Sequence, residues 1–309
     1  MKKKFTDLLL CAVLVAGLMA ACLWFTEGIL RIVLLVVLYV LETEILTSIV
    51  RLVLGEPEPQ KLPKEEMIRA ENQWYLDRQN ALTAGYLTPW KILLIAVSVI
   101  LPLWGMVGNG SYEIYSSICM IFSVVCAALA MLFPGYFSLI YTDSDRERNP
   151  GLTFSIVNVS MPMILALFGC SYRSLETFRF TSWMRVLEGI VITAVVLGLT
   201  VPFFPEPRRS NSNRIGALVM VLILSFGFTV PANHLLKKNP PEMVTAVVTE
   251  YHPGGYRNPP DYDVLLEDGQ EINLPAKMGF GRRVFEIGEE IQLEFHESAL
   301  GIDYYCYPD

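Results

Sequence analysis

The sequence predicts a membrane all-α bundle of about seven spans followed by a C-terminal all-β small barrel of OB- or SH3-like size. Three observations lead there: an apolar excess, a series of apolar runs of bilayer length, and a switch to two-residue alternation near the C-terminus. The chain has 309 residues, of which 53% are hydrophobic and 18% charged, with a mean hydropathy of +0.42. An ordinary soluble domain is about half apolar and about a quarter charged. A polytopic membrane protein fits better.

A bilayer core takes about 20 apolar residues per helix. That ruler gives runs at roughly 5–25, 28–48, 90–107, 114–133, 152–171, 183–204 and 214–235. Trp24, Trp90, Trp104 and Trp183 fall at ends of these runs, where indoles prefer the membrane interface. The resulting organisation is an N-terminal transmembrane hairpin over 1–54, a charged helical loop over 55–89, a five-span bundle over 90–236 and a small β-barrel over 241–309.

The second run carries Arg31, Glu42, Glu44 and Arg51. It reads as a span whose last residues, 45–54, extend along the inner surface as an amphipathic helix; the alternative is a run lying flat throughout. The start, MKKKFTDLLLCAVLVAGLMAAC, resembles a lipoprotein signal ending at Cys22. Met19 and the apolar continuation Leu23-Trp24-Phe25 favour an uncleaved first helix instead.

Lys and Arg in short loops set orientation. With the N-terminus in the cytoplasm, the inner segments hold Lys2, Lys3 and Lys4, then Lys61, Lys64, Arg69 and Arg78, then Arg146 and Arg148, then Arg208, Arg209 and Arg214. The outer loops hold only Arg31, Arg173 and Arg179. Seven spans starting inside end outside. The expectation is a multi-pass protein of the cell membrane, bacterial in type, with an extracytoplasmic C-terminal domain.

From Pro240 onward there are 14 Asp and Glu against Arg257, Lys277, Arg282 and Arg283, a balance of −10, which leaves the rest of the −7 chain at +3. Such a tail is repelled by nucleic acid and by anionic head groups. Nucleic acid is therefore excluded as a partner, and the expected partners are the lipid bilayer and a protein bound by the acidic barrel. The alternation VTAVVTEY, YDVLLED, QEINLP, EIQLEFHE and GIDYYCY marks five strands. Asp268-Gly269 is a hairpin signal, and Ile287-Gly288 and Leu300-Gly301 mark further turns. In the second strand Tyr262, Val264 and Leu266 are expected to point inward, and Asp263 and Glu267 outward. Several spans followed by a small C-terminal barrel resemble the layout of NfeD-like membrane proteins; the resemblance covers the tail and its order.

Chemistry-bearing residues are sparse. The histidines, His234, His252 and His296, have no ligand spacing such as HExxH, and a metal site would need the fold to bring two of them together with carboxylates. The six cysteines form no CxxC pair. Neither a hydrolase elbow nor a P-loop occurs, and no cofactor is implied. Ionisable groups within spans are functional candidates, because a charge at mid-bilayer costs at least ~2.5 kcal/mol. These are Glu42, Glu44 and Glu188, the last three residues after Arg185, with which it can pair. Asn158 shares a helical face with Ser155 and Pro162 in the fifth run. Asp143 and Asp145 form an Asp-x-Asp on the inner side. In the barrel, Gly279, Gly281, Arg282 and Arg283 form a basic loop able to meet an anion. The sequence thus favours an interaction or assembly protein, with a transporter or channel, or a membrane-embedded enzyme, as alternatives.

Overall fold

The computed structural model describes residues 2–26, 28–55, 66, 69, 73, 88–107, 111–134, 136–139, 157–204, 211–237, 239–254, 260–278, 281–282, 284–298 and 300–308. The helices are α1 (Lys2–Phe25), α2 (Gly28–Leu54), α3 (Thr88–Val107), α4 (Tyr112–Leu132), α5 (Ser160–Thr177), α6 (Trp183–Gly198) and α7 (Asn211–Leu235). The strands are β1 (Phe137–Ser138), β2 (Val157–Asn158), β3 (Arg179–Phe180), β4 (Glu242–His252), β5 (Asp261–Leu266), β6 (Glu271–Pro275), β7 (Lys277–Met278), β8 (Gly281–Arg282), β9 (Glu290–His296) and β10 (Tyr304–Cys306).

Among the described residues, four stretches are long and apolar enough to cross a membrane: Lys4–Phe25, Tyr112–Leu132, Trp183–Phe203 and Arg214–Leu235. The sequence count was seven. The difference has physical causes in the remaining helices. In α3 the apolar helix is the shorter Ile92–Gly105. Helix α5 begins at Ser160, not near 152, and carries Ser171, Arg173 and Ser174 in its last turns. Helix α2 is continuous to Leu54, with four charged residues along it.

The chain forms two compact units, one of Met1–Val99, Ile121–Leu165 and Val191–Ser225, the other of Ile100–Met120, Ala166–Ile190 and Phe226–Asp309. In the first unit α1 and α2 pack on each other around Met19, Cys22, Leu35, Tyr39 and Val191. The turn between them is tied by the Arg31 Nε, which donates to the Thr26 carbonyl at 2.6 Å. A Cβ at Gly198 would collide with the Tyr39 ring, so the close approach there depends on glycine. Strands β1 and β2 form a two-residue parallel pair.

In the second unit six strands run in the order β3-β10-β9-β4-β5-β6, with all five contacts antiparallel. The end strands β3 and β6 approach each other, so the sheet is nearly closed. The five strands expected in the tail are all present; the sixth, Arg179–Phe180, lies between α5 and α6 and is too short to announce itself by alternation. The sheet core contains Val248, Val264, Leu274 and Leu293. Tyr262, Val264 and Leu266 point inward as alternation requires. Gly269, Gly288 and Gly301 adopt φ of +84°, +89° and +69°, the left-handed conformation that makes glycine the fitting turn residue. In the first of these turns the Gln270 N–H donates to the Asp268 carboxylate at 2.9 Å.

The outer face of β9 and β10 is covered by residues of the helices and their connections in the same unit. Tyr304 packs on Phe178 with ring centroids 4.6 Å apart, and its hydroxyl lies 2.5 Å from Nδ1 of His234. The Tyr112 and Ser174 hydroxyls are hydrogen-bonded at 2.6 Å. The Asn233 amide donates to the Ile302 carbonyl at 2.8 Å, and the Thr181 N–H donates to the Asp303 carbonyl at 3.0 Å. These bonds hold β3 and β10 in place and set the geometry of the gap between β3 and β6.

Candidate functional site

That gap is an open cleft of about 340 Å³, lined among others by Arg179, Asp263, Glu271, Asn273 and Tyr305. Three strands position its polar groups. On β5, Asp263 sits between buried Tyr262 and Val264, so alternation turns its carboxylate to the polar face. On β6, Asn273 lies directly across from it, and its amide donates to Oδ1 of Asp263 at 2.8 Å. A register shift in β4 between Val248 and Glu250 falls at Thr249, whose hydroxyl donates to the Asp263 carbonyl at 3.0 Å. A bulge of this kind re-aims side chains beside a site.

Behind Asp263 lies His252, at the end of β4: its Nε2 is 2.8 Å from Oδ2 of Asp263. The hydrogen bond to Asp263 raises the imidazole above its ordinary value of 6.5. The same bond, together with the Asn273 amide, holds the Asp263 carboxyl below its usual 3.8. The cleft thus presents the Asp263 and Glu271 carboxylates, the Asn273 amide and the guanidinium of Arg179. It suits hydrogen bonding to a polar chain; a nucleophile activated by a base is missing from the lining residues.

The residues singled out from sequence lie elsewhere. Glu42 is buried at 6% exposure, and its Oε2 has no hydrogen-bond partner among the described residues. Glu44 forms an ion pair with Arg214 at 2.6 Å. Arg185 and Glu188 form the pair their spacing suggests, at 3.1 Å, with Glu188 buried. Asn158 requires a correction: it sits in β2, ahead of α5, not on a helical face. Its Oδ1 accepts from the Ser160 N–H at 2.9 Å and hydroxyl at 2.5 Å, which is the capping role that a short amide plays at a helix start. Gly281 and Arg282 form β8 and pair with Met278 and Lys277. Gly279, Arg283, Asp143, Asp145 and Ser155 lie outside the described residues.

Two groups of side chains have the composition of a metal site: Glu250, His252 and Asp263 at the cleft, and Glu294, His296 and Cys306 on β9 and β10. Neither was visible in the sequence, because each joins two strands whose pairing the spacing does not reveal. No protein-family model, curated protein or solved structure matches the chain.

Proposed function

We propose that this is a membrane-embedded interaction or assembly protein whose C-terminal sheet binds an extended segment of a partner protein at the β3–β6 seam. The apolar helices support a membrane-embedded protein. The carrying observation for the rest is the open polar cleft between two end strands of a nearly closed sheet. The outer edge of β6 pairs with no strand among the described residues, and such an edge recognises an extended peptide through its main-chain groups. Asp263, Glu271 and Asn273 would then read side chains of that segment. With the three shorter or more polar helices counted as crossing beside the four long ones, as the positive-inside pattern requires, the sheet works on the extracytoplasmic side, so its partner belongs to the envelope or the exterior.

A photo-reactive residue at Asn273 tests this in native membranes, with Val284, which is 75% exposed, as the control position. The expected result is a discrete adduct from position 273 that is lost when Asp263, Glu267 and Glu271 are all replaced by Lys. Unchanged capture after that triple reversal, or equal adducts from both positions, refutes the proposal.

One observation favours a second reading, a transport pathway in the helical bundle: the buried Glu42, with an unpartnered oxygen among the described residues. Ionisable groups of this kind mark ion and proton paths. Loss of an ion or proton flux in reconstituted Glu42→Gln would favour this reading, and an unchanged flux would remove it.

A further inference from the structure

We propose that Glu294, His296 and Cys306 form a binding site for a divalent cation of the Zn²⁺ class that clips β10 to β9. Register creates the site. Cys306 lies directly opposite Glu294 in the antiparallel pair, and His296, two residues further along β9, points to the same face. Nε2 of His296 is 2.9 Å from Oε2 of Glu294, Sγ of Cys306 is 4.0 Å from the same oxygen, and the three donor atoms all lie within 4.8 Å of one another. Tetrahedral zinc ligands at ordinary bond lengths stand about 3.3–3.7 Å apart, so side-chain shifts of up to about an ångström convert the cluster into a coordination shell.

The donor set selects the ion. A thiolate, an imidazole and a carboxylate suit a borderline-soft metal, whereas Mg²⁺ and Ca²⁺ take oxygen ligands. Three protein ligands leave a fourth position, and Glu294, with its side chain 25% exposed, opens the site to solvent on that side. His296 is only 2% exposed, and the ring nitrogen it turns to Glu294 is Nε2. Its plane is fixed by stacking on Tyr304, with centroids 4.9 Å apart and 13° between planes, and a pre-oriented ring loses little entropy on ligation. Lys237 opposes a cation here, but its ammonium is held by Glu113 at 2.9 Å.

The second group, Glu250, His252 and Asp263, is more exposed, and its imidazole is raised above its ordinary value by the hydrogen bond to Asp263, so a metal there competes with a more tightly held proton. It serves as the internal control. The full chain, purified in detergent and stripped with a chelator, is loaded with Zn²⁺ or with Co²⁺ as a spectroscopic substitute. The expected result is about one Zn²⁺ per chain retained through gel filtration, and a sulfur-to-cobalt charge-transfer band in the Co²⁺ form. His296→Gln and Cys306→Ser should each weaken Zn²⁺ binding by more than the about 10–100-fold that losing an outer-shell partner costs. His252→Gln should leave it unchanged. A Co²⁺ spectrum of the natural chain without that band overturns the proposal, whatever the variants do, as does a loss of binding in His252→Gln with none in Cys306→Ser.

Discussion

The helices and the sheet solve the same problem against different solvents. Along α4 the side chains of Ile121, Val124 and Leu132 face outward and are more than half exposed, while Tyr115, Cys119 and Cys126 on the same helix are fully buried. In the sheet the relation is reversed: Val264 and Leu293 are fully buried, and the polar face carries Asp263, Asn273 and Glu271. An apolar exterior is stable in hydrocarbon, and a polar exterior in water. Amino-acid composition is thus a record of which solvent each surface meets, and identical residues mean opposite things in the two regions.

The contrast is sharpest in a pair of truncations. Leu293→Ala should destabilise the sheet by about 2–5 kcal/mol, the cost of a cavity in a packed core, whereas Val124→Ala should cost under about 0.5 kcal/mol, as for exposed positions. Thermal unfolding in detergent, followed by limited proteolysis of the sheet, checks both. A charge inverts the ranking of the same α4 position: Val124→Lys should disfavour insertion by about 2.5–3.5 kcal/mol if it faces lipid, seen as loss from the carbonate-resistant membrane fraction. Tyr304→Phe removes the hydroxyl bonded to His234 and should cost about 0.5–1.5 kcal/mol, with the sheet becoming protease-sensitive at lower temperature.

The smallest expected effect is on pH dependence at the cleft. The imidazole of His252 is raised above 6.5 by Asp263, so the stabilisation from this pair is complete below 6.5 and fades as pH rises through the raised value. Asp263 is lowered below 3.8, so its contribution holds above 3.8 and fades as pH falls through the lowered value. Between these limits the pair is fully ionised. Titrating the His252 ring resonance should give a midpoint above 6.5, and Asp263→Asn should bring it back toward the ordinary value.

Much of this was legible in sequence because it is written in local chemistry. Alternation in YDVLLED and the Asp268-Gly269 turn are properties of adjacent residues, and the strands and turn appear where they were expected. The start of α5 was misplaced because apolar character continues across Ile156-Val157; what ends the strand and begins the helix is the Asn158 side chain, which accepts from Ser160. The seam cleft and the Glu294–His296–Cys306 group depend on which strands become neighbours. Arg179 pairs with Tyr305, 126 positions further along the chain, through the β3–β10 pairing, and no periodicity records such a contact.

The central proposal is that the α4 surface around Val124 is dissolved in lipid while the sheet works in water on the extracytoplasmic side. Single cysteines at Val124, Glu267 and Ser210 test it in a Cys11→Ser background, since the other five natural cysteines are buried, using an impermeant maleimide on intact cells. The account predicts labelling at 267 in intact cells, at 210 only after permeabilisation, and at 124 in neither. Labelling at 124 from water, or at 210 but not 267 in intact cells, would contradict it.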